Sequence, residues 1–354
     1  MSSSFATPGF PTVLQPPNSD PATQGVAGVL PSEASPMGLL GLLNVPVAEV
    51  GEWVANAPVM QYSLQDMVHV LEQYPKLLLR DDFSSPFLHR SLYDEDVPDM
   101  TTLARTSMAV CCGSAMETPD GARFARHAME VERQRLIESY PTYQCMQQWD
   151  ALHAMVVYGI LELRTSSGLG RDEWKQKSYS KGLKAPFLAK MTRAFTRSHL
   201  ESPGADLMSA SSLPLQSMES WTVAETARRT IFLANIIHFL SHHDPVTGKP
   251  SPYYEPLDDE LILNLPLPCS HALWSVRTEP EWRLTMEYCQ SNSSPSTTDF
   301  PSAFHLVPGC LTLKFLLGHF SREYLQTVLV SNLGFGGSDE LRSFVILCAL
   351  KQFT

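Results

Sequence analysis

The spacing of the apolar residues constrains the fold of this chain more than any other feature. Between residues 143 and 163 the chain is apolar on nearly all sides of a helix, and in the flanking runs apolar residues recur about every three to four positions. A helix that is hydrophobic on most faces must be enclosed by other helices. Because no alternating pattern of strand length appears, the chain is predicted to be all-α and multi-helical.

Clusters of Ser, Pro and Gly separate the predicted helices. The first helix begins at a cap formed by Ser63 and Asp66, and Pro75 is expected to stop it. The other predicted helices span residues 101–116, 121–140, 143–163, 186–198, 223–242, 279–289, 310–331 and 339–353.

The first 58 residues differ in composition from the rest. They contain nine prolines and many Ser, Gly and Ala residues, and the first basic residue of the chain is Lys76. Such a segment cannot form a long helix or the interior of a sheet. We therefore predict a disordered, acidic Pro/Ser-rich arm over 1–58 and a helical domain over 59–354. An apolar island at 37–45 either docks on the domain or on a partner, or packs locally as a linker.

Charge and cysteine content narrow the compartment and the partners. A net charge of -11 argues against a nucleic-acid surface built on Lys and Arg, which neutralise phosphates. The seven cysteines show no C-x2-C spacing, which predicts reduced, mostly buried thiols in an intracellular protein. The apolar runs are shorter than the roughly 18 residues of a membrane-spanning helix, and the amino terminus lacks a signal peptide's basic region. A soluble protein without a membrane partner is expected.

The sequence does not match any of the catalytic motifs that its Gly, Lys, Ser and Cys residues suggest. Gly248 and Lys249 suggest a phosphate loop, but His243 stands where the motif needs Gly, and Pro250 where it needs Ser or Thr. The glycine-rich run at 334–337 follows a predicted helix, so a turn is expected. No nucleophile elbow occurs, and Cys111 and its neighbour lie within a predicted helix. We predict no catalytic residues, no cofactor and no enzymatic activity.

The one metal hypothesis concerns the end of the 223–242 helix. His238 and His242 are four residues apart, a spacing that can place two imidazoles on one face, and His243 and Asp244 follow. No H-E-x-x-H glutamate accompanies them, and a helix C-terminus favours imidazolium over a metal-bound ring. The prediction is therefore that no metal is bound.

Several segments occur in an order typical of one family. They are YPKLLLRDDFSSPFLHRSLY at 74–93, the helix LARTSMAVCCGSAM at 103–116, Trp149, the helix with Glu225, Arg228 and Arg229, the turn with Gly248 and Pro250, and Leu-Pro-Leu-Pro-Cys at 265–269 before Trp274. Together they resemble the regulatory middle-homology region of fungal zinc-cluster transcription factors, over about two hundred residues.

The resemblance implies a nuclear transcription regulator, but it covers the regulatory region only and not the DNA-binding module. Members of the family read DNA with six cysteines in C-x2-C-x6-C halves, and this chain has no cysteine before Cys111. The resemblance therefore implies control of a fungal (secondary) metabolic gene cluster through protein partners rather than through direct DNA binding. Lysines at 175–184 are either a nuclear-import signal or a solvated loop.

The alternative to a transcription regulator is a helical small-molecule sensor or metabolic accessory protein without a transcriptional role. A third possibility is that Met1 is not the true start and that a zinc cluster is encoded upstream.

Physical chemistry assigns structural roles to the motif residues. Thr222 and Glu225 have the spacing of a capping box, and Glu225 is expected to form ion pairs with Arg228 and Arg229. The rival interpretation is that this arginine pair binds an anionic ligand. The Leu-Pro-Leu-Pro-Cys run is predicted to be extended, with its leucines in the core and Trp274 covering them.

Overall fold

The computed structural model describes residues 62–80, 84–89, 118–143, 145–167, 185–200, 217–291, 311–329, 334–335 and 338–353. Of these residues 74% are helical, and no sheet forms among them, so the all-α prediction is confirmed. The predicted arm at 1–58 with its apolar island, the predicted helix at 101–116 and the lysines at 175–184 lie outside the described residues.

Helices alternate with short irregular segments along the described chain. In chain order they are α1 (Leu64–Leu77), α2 (Pro119–Ser139), α3 (Cys145–Ser167), α4 (Ala185–Leu200), α5 (Met218–Ser241), α6 (Asp259–Asn264), α7 (His271–Trp274), α8 (Glu279–Ser291), α9 (Leu313–His319), α10 (Arg322–Leu329) and α11 (Ser338–Gln352). A single 3-10 turn, Tyr140–Thr142, follows α2. None of these described helices combines the length and the apolarity that crossing a membrane requires.

The centre of the fold is the pair formed by α3 and α5. Helix α3 packs against α1, α2, α4 and α5, and α5 also packs against α4, α8 and α11. Because both helices are covered on several sides, both are buried nearly all round, which the sequence indicated for the run at 143–163. The two helices approach most closely at Gly159, where an added Cβ would lie 2.8 Å from Cγ2 of Ile237.

Gly159→Ala is expected to destabilise the protein by about 1 to 2 kcal/mol. Overpacking costs roughly 1–3 kcal/mol, and the better helix propensity of Ala returns about 1 kcal/mol. The stiff, β-branched Ile237 cannot swing aside to make room. The matched control is Gly318→Ala in α9, where an added Cβ meets nothing within 4 Å. Urea denaturation should show a lower free energy of unfolding for Gly159→Ala and no such loss for Gly318→Ala. Equal effects of the two substitutions would contradict the close approach of α3 and α5.

Several helix boundaries differ from the sequence prediction, and three of the differences have a clear local cause. Pro75 lies inside α1, which ends at Leu77, because the N–H of Leu78 donates to the carbonyl of Tyr74 and completes the turn across the proline. The predicted helix at 310–331 is two helices, α9 and α10, which meet at the extended residue Phe320. Ser321 causes the break, since its Oγ accepts from the N–H of Tyr324 at 3.2 Å and caps the second helix.

The third difference concerns α5, which begins at Met218 rather than near residue 223. Its N-cap is Ser217, whose Oγ accepts from the N–H of Ser220 at 3.3 Å. Thr222 is therefore the fifth residue of the helix, and the predicted capping box of Thr222 and Glu225 is wrong. A serine further upstream provides the cap, and this places Glu225 inside the helix, where its carboxylate needs other partners.

Buried apolar residues form two clusters. The larger one surrounds α3 and α5 and includes Leu265 and Leu267 of the Leu-Pro-Leu-Pro-Cys run, which is extended as predicted and pairs with the chain near Thr312. The smaller one, here called the tryptophan cluster, lies where the start of α5 meets α7 and α8. Its members are Met218, Trp221, Cys269, Leu273, Trp274, Val276, Trp282 and Met286.

Candidate functional site

Helix α5 carries three buried charged residues beside the tryptophan cluster. Glu225, Arg228 and Arg229 have exposed fractions of 1%, 4% and 0%. Oε1 of Glu225 accepts from Nε of Arg229 at 2.7 Å, and Oε2 lies 2.8 Å from Nη2 of Arg228. The ion pairs predicted from the spacing are therefore confirmed. The N–H of Cys269 also donates to Oε1 at 2.8 Å, which ties the Leu-Pro-Leu-Pro-Cys run to this helix.

The carboxyl group of Glu225 is held ionised. Burial alone would raise its pKa, but the charges of Arg228 and Arg229 and the hydrogen bonds from Cys269 and Arg229 outweigh that penalty and lower the pKa to about 2. A carboxylate with so low a pKa does not accept a proton near neutral pH. Glu225 therefore has the properties of a structural anchor and not those of a general base.

Arg229 joins two distant segments to α5. Its Nη1 donates to the carbonyl of Pro86 at 2.6 Å, and its Nη2 donates to the carbonyl of Cys269 at 3.1 Å. Its guanidinium carbon lies 3.7 Å from the centroid of the Trp274 ring, a cation–π contact. Trp274 thus covers Arg229 and belongs to the tryptophan cluster, whereas the sequence predicted that it would cover Leu265 and Leu267.

A chain of hydrogen bonds continues from Trp274 to α3. Nε1 of Trp274 donates to the carbonyl of Ser85 at 3.0 Å, and Oγ of Ser85 lies 2.9 Å from the hydroxyl of Tyr74. That hydroxyl lies 3.2 Å from Nε2 of His153. Burial lowers the pKa of His153 to about 4, so its ring is neutral near pH 7. Segments far apart in sequence therefore share one buried polar network. It is here called the arginine network, and its side chains are those of Glu225, Arg228, Arg229, Trp274, Ser85, Tyr74 and His153.

Trp149, another residue of the family pattern, packs beside this network. Its Nε1 donates to Oγ1 of Thr230 at 3.0 Å, and its ring stacks on His153 with centroids 6.0 Å apart. These contacts connect α3 to α5 on the side of the helix that carries Thr230.

Three contributors to the network were missed from the sequence: Ser85, His153 and Arg342. Arg342 of α11 is 2% exposed, and its Nε donates to the carbonyl of Pro268 at 2.9 Å. His153 and Arg342 bond to partners 79 and 74 residues away along the chain, and the carbonyl of Ser85 accepts from Trp274, 189 residues away, so no local pattern could have identified these contacts. For His153 and Arg342 the available signal was a polar or charged side chain inside an apolar helix, which predicts burial with a partner but does not name the partner.

The histidines at the end of α5 bond to the backbone. Nδ1 of His242 lies 2.7 Å from the carbonyl of His238, and Nδ1 of His243 lies 2.7 Å from that of Phe239. Nε2 of His238 lies 2.7 Å from the carbonyl of Glu255. Burial, with the neighbouring charge of His242, lowers the pKa of His238 to about 4. Within the described part of the chain, no group of three or more His, Cys, Asp or Glu is placed to hold a metal ion.

The segment after these histidines is the predicted turn. The N–H of Gly248 donates to the carbonyl of Asp244 at 2.8 Å, and the N–H of Asp244 donates to that of Lys249 at 2.9 Å. Gly248 has a φ of 69°, a left-handed conformation that glycine adopts without strain. The pair Gly248 and Lys249 therefore forms a tight hairpin-like turn, and the geometry has no resemblance to a phosphate loop.

Two thiols can be described, those of Cys269 and Cys348, and both are buried and unoxidised. Burial raises the pKa of each thiol far above its ordinary value, so neither forms a thiolate near neutral pH. The prediction of reduced, buried cysteines is confirmed for these two. Cys111, Cys112 and Cys310 lie outside the described residues.

Arg228 differs from the other members of the arginine network. Its Nη2 contacts Glu225, whereas its Nε and Nη1 are buried and find no hydrogen-bond acceptor in the structure that is described. A guanidinium group carries five N–H donors, and buried donors are nearly always satisfied in folded proteins. Arg228 therefore presents unused donor capacity at a site from which water is excluded.

Comparisons with known proteins add no relative to this description. No family model, no curated protein and no solved structure matches the chain. The arginine network and the donors of Arg228 are therefore interpreted from their own geometry and chemistry.

Proposed function

We propose that this protein is a nuclear regulatory protein related to fungal zinc-cluster transcription factors, which acts through protein partners in controlling a metabolic gene cluster. One observation carries the proposal. Residues from several described parts of the family pattern meet in the arginine network: Tyr74, Pro86, Glu225, Arg229, Cys269 and Trp274. An order of motifs that arose by chance would have no reason to meet at one buried place in the fold.

The chemistry of the arginine network supports a structural role rather than a catalytic one. Glu225 is fixed as an anion, Arg229 is enclosed by two carbonyls and Trp274, and the thiol of Cys269 is protonated. None of these groups offers a poised nucleophile or proton acceptor. A rigid helical domain of this kind supports binding to other proteins, and the net charge of -11 favours partners other than DNA.

Three measurements on the full chain test the proposal. Fused to a heterologous DNA-binding domain, the protein is expected to change expression of a reporter gene several-fold, and as a fluorescent fusion it is expected to accumulate in the nucleus. The purified protein alone is expected to show no sequence-dependent gel shift at physiological salt. An inert fusion that stays outside the nucleus would contradict the regulatory role, and salt-sensitive, sequence-dependent DNA binding would contradict the reliance on partners.

A second candidate function is a helical small-molecule sensor, and a specific observation favours it. The two unpaired donors of Arg228 lie next to an apolar cluster that contains three tryptophans. Buried cationic donors beside aromatic rings are a common feature of sites for small organic anions. This candidate does not require a role in transcription.

A further inference from the structure

Arg228 projects from α5 in a direction that its helix geometry defines. Side chains of an α-helix lean towards its N-terminus, so the guanidinium group of Arg228 lies over the preceding turn. The 2.8 Å contact between its Nη2 and Oε2 of Glu225 agrees with that direction. Trp221 lies seven residues earlier, which is two turns along the same face of the helix. The donors of Arg228 therefore point towards the side of α5 that carries the tryptophan cluster.

That side of α5 is covered by α8. The N–H of Met218 donates to Oε2 of Glu279 at 2.7 Å, and the rings of Trp221 and Trp282 have centroids 5.9 Å apart. Nε1 of Trp282 is a further buried donor without an acceptor among the described residues. Arg228 and Trp282 thus both hold buried donors without an acceptor, and each donor would be satisfied by an acceptor group within hydrogen-bond reach.

Glu225 cannot supply that acceptor. Its Oε1 is occupied by Arg229 and by the N–H of Cys269, and its Oε2 contacts one nitrogen of Arg228 only. The guanidinium group of Arg228 stays charged at any ordinary pH, and a buried charge with few hydrogen bonds is costly. An additional anion would lower that cost by accepting from the remaining nitrogens.

The surroundings select the kind of anion. The tryptophan cluster is apolar apart from its indole N–H groups, so it favours a ligand with an apolar body. The carboxylate of Glu225 nearby would repel a dianion such as phosphate more strongly than a monoanion. The distance from Arg228 to Trp221 along the helix is about 10 Å, the length of an acid of roughly six to eight carbons.

We propose that Arg228 binds the carboxylate of a small organic acid whose apolar body packs against Trp221 and Trp282. The proposal goes beyond the regulatory function and specifies the site that the small-molecule alternative would use. It does not depend on either, because it rests on the unused donors and their apolar surroundings.

The test uses purified full-length protein and sodium hexanoate as the probe. Hexanoate is expected to raise the melting temperature and to change tryptophan fluorescence saturably, because it binds only the native state. The neutral analogue 1-hexanol is expected to bind at least about tenfold more weakly, since it lacks the charge that Arg228 recognises. This comparison needs no variant. Absence of saturable hexanoate binding, or equal binding of hexanol, would overturn the proposal.

A pair of variants then assigns the binding to Arg228. Arg228→Gln is expected to weaken hexanoate binding at least about tenfold, whereas Arg283→Gln, at an exposed arginine of α8, should leave it unchanged. Trp282→Phe keeps an aromatic ring, although a smaller one, and removes the indole N–H, and it is expected to weaken binding by about threefold or more. Wild-type affinity in a folded Arg228→Gln protein would contradict the site, as would tighter binding of inorganic phosphate than of hexanoate. Neither result would affect the reporter measurements.

Discussion

Arg229→Gln is expected to lower the free energy of unfolding by about 3–5 kcal/mol, which is the usual cost of removing one partner from a buried ion pair. The substitution leaves Glu225 with less compensation and removes the donors to the carbonyls of Pro86 and Cys269. It also removes the cation that lies 3.7 Å from the centroid of the Trp274 ring. Urea denaturation monitored by circular dichroism measures the change.

The matched control for this variant is Arg283→Gln. Arg283 also pairs with a glutamate four residues earlier, Glu279, but its side chain is 66% exposed. An exposed pair of this kind contributes about 0.2–1 kcal/mol. The two variants therefore differ in burial and long-range contacts while sharing the same local spacing. If both cost the same, the arginine network would have no special role in holding the segments together.

The second large effect is a loss of stability in acid that arises from two buried histidines. His153 and His238 have pKa values of about 4 in the folded protein, against 6.5 for an exposed imidazole. Because the pKa is lower in the folded state, the unfolded state takes up protons first as the pH falls. Their contribution is therefore complete above pH 6.5 and is lost as the pH falls through about 4. Each histidine accounts for on the order of 3 kcal/mol.

Urea midpoints between about pH 7.5 and about pH 4.5 should reveal this loss. In His153→Gln the slope of stability against pH is expected to fall by about one proton's worth, roughly 1.4 kcal/mol per pH unit. His319→Gln, at an exposed position of α9, controls for the exchange of a histidine for glutamine in itself. A wild-type stability that stays constant across this range, or a slope unaltered in His153→Gln, would contradict the burial of a neutral imidazole.

Glu225 adds a separate window at lower pH. Its pKa is about 2 in the folded protein, below the ordinary value of 4.5, so its contribution is present above pH 4.5 and is lost as the pH falls through about 2. The two windows have the same sign but scarcely overlap. Losses between pH 6.5 and about 4 therefore report mainly the histidines, and further losses below that pH include the contribution of Glu225.

Local patterns predicted the helices well, because helical periodicity depends only on neighbours in the sequence. The run at 143–163 was recognised as a buried helix, and α3 spans Cys145–Ser167. The same locality explains the errors. Pro75 was expected to end α1, and Thr222 to cap α5, since both residues have those effects in isolated sequence windows. In the folded protein, α1 continues to Leu77 and Ser217 caps α5.

Some contacts of the candidate site could likewise be predicted from local spacing, and others could not. The ion pairs of Glu225 with Arg228 and Arg229 could be predicted, because residues three and four apart share a helix face. The partners of Arg229 could not, since Pro86 is 143 residues away and Cys269 is 40 residues away along the chain. Which carbonyl an arginine reaches depends on how several helices pack, and that information is distributed over all their contacts.

By itself, the sequence determined that this protein is all-α, that Glu225 and the two arginines share one helix, and that the Leu-Pro-Leu-Pro-Cys run is extended. These properties follow from spacing and from proline geometry, which act within a few residues. Only the tertiary structure decided that Arg229 is satisfied while Arg228 retains unpaired donors beside Trp221. The reason is that burial and hydrogen-bond satisfaction depend on segments that are distant along the chain and meet only in the fold, so two adjacent arginines can differ in what remains for them to bind.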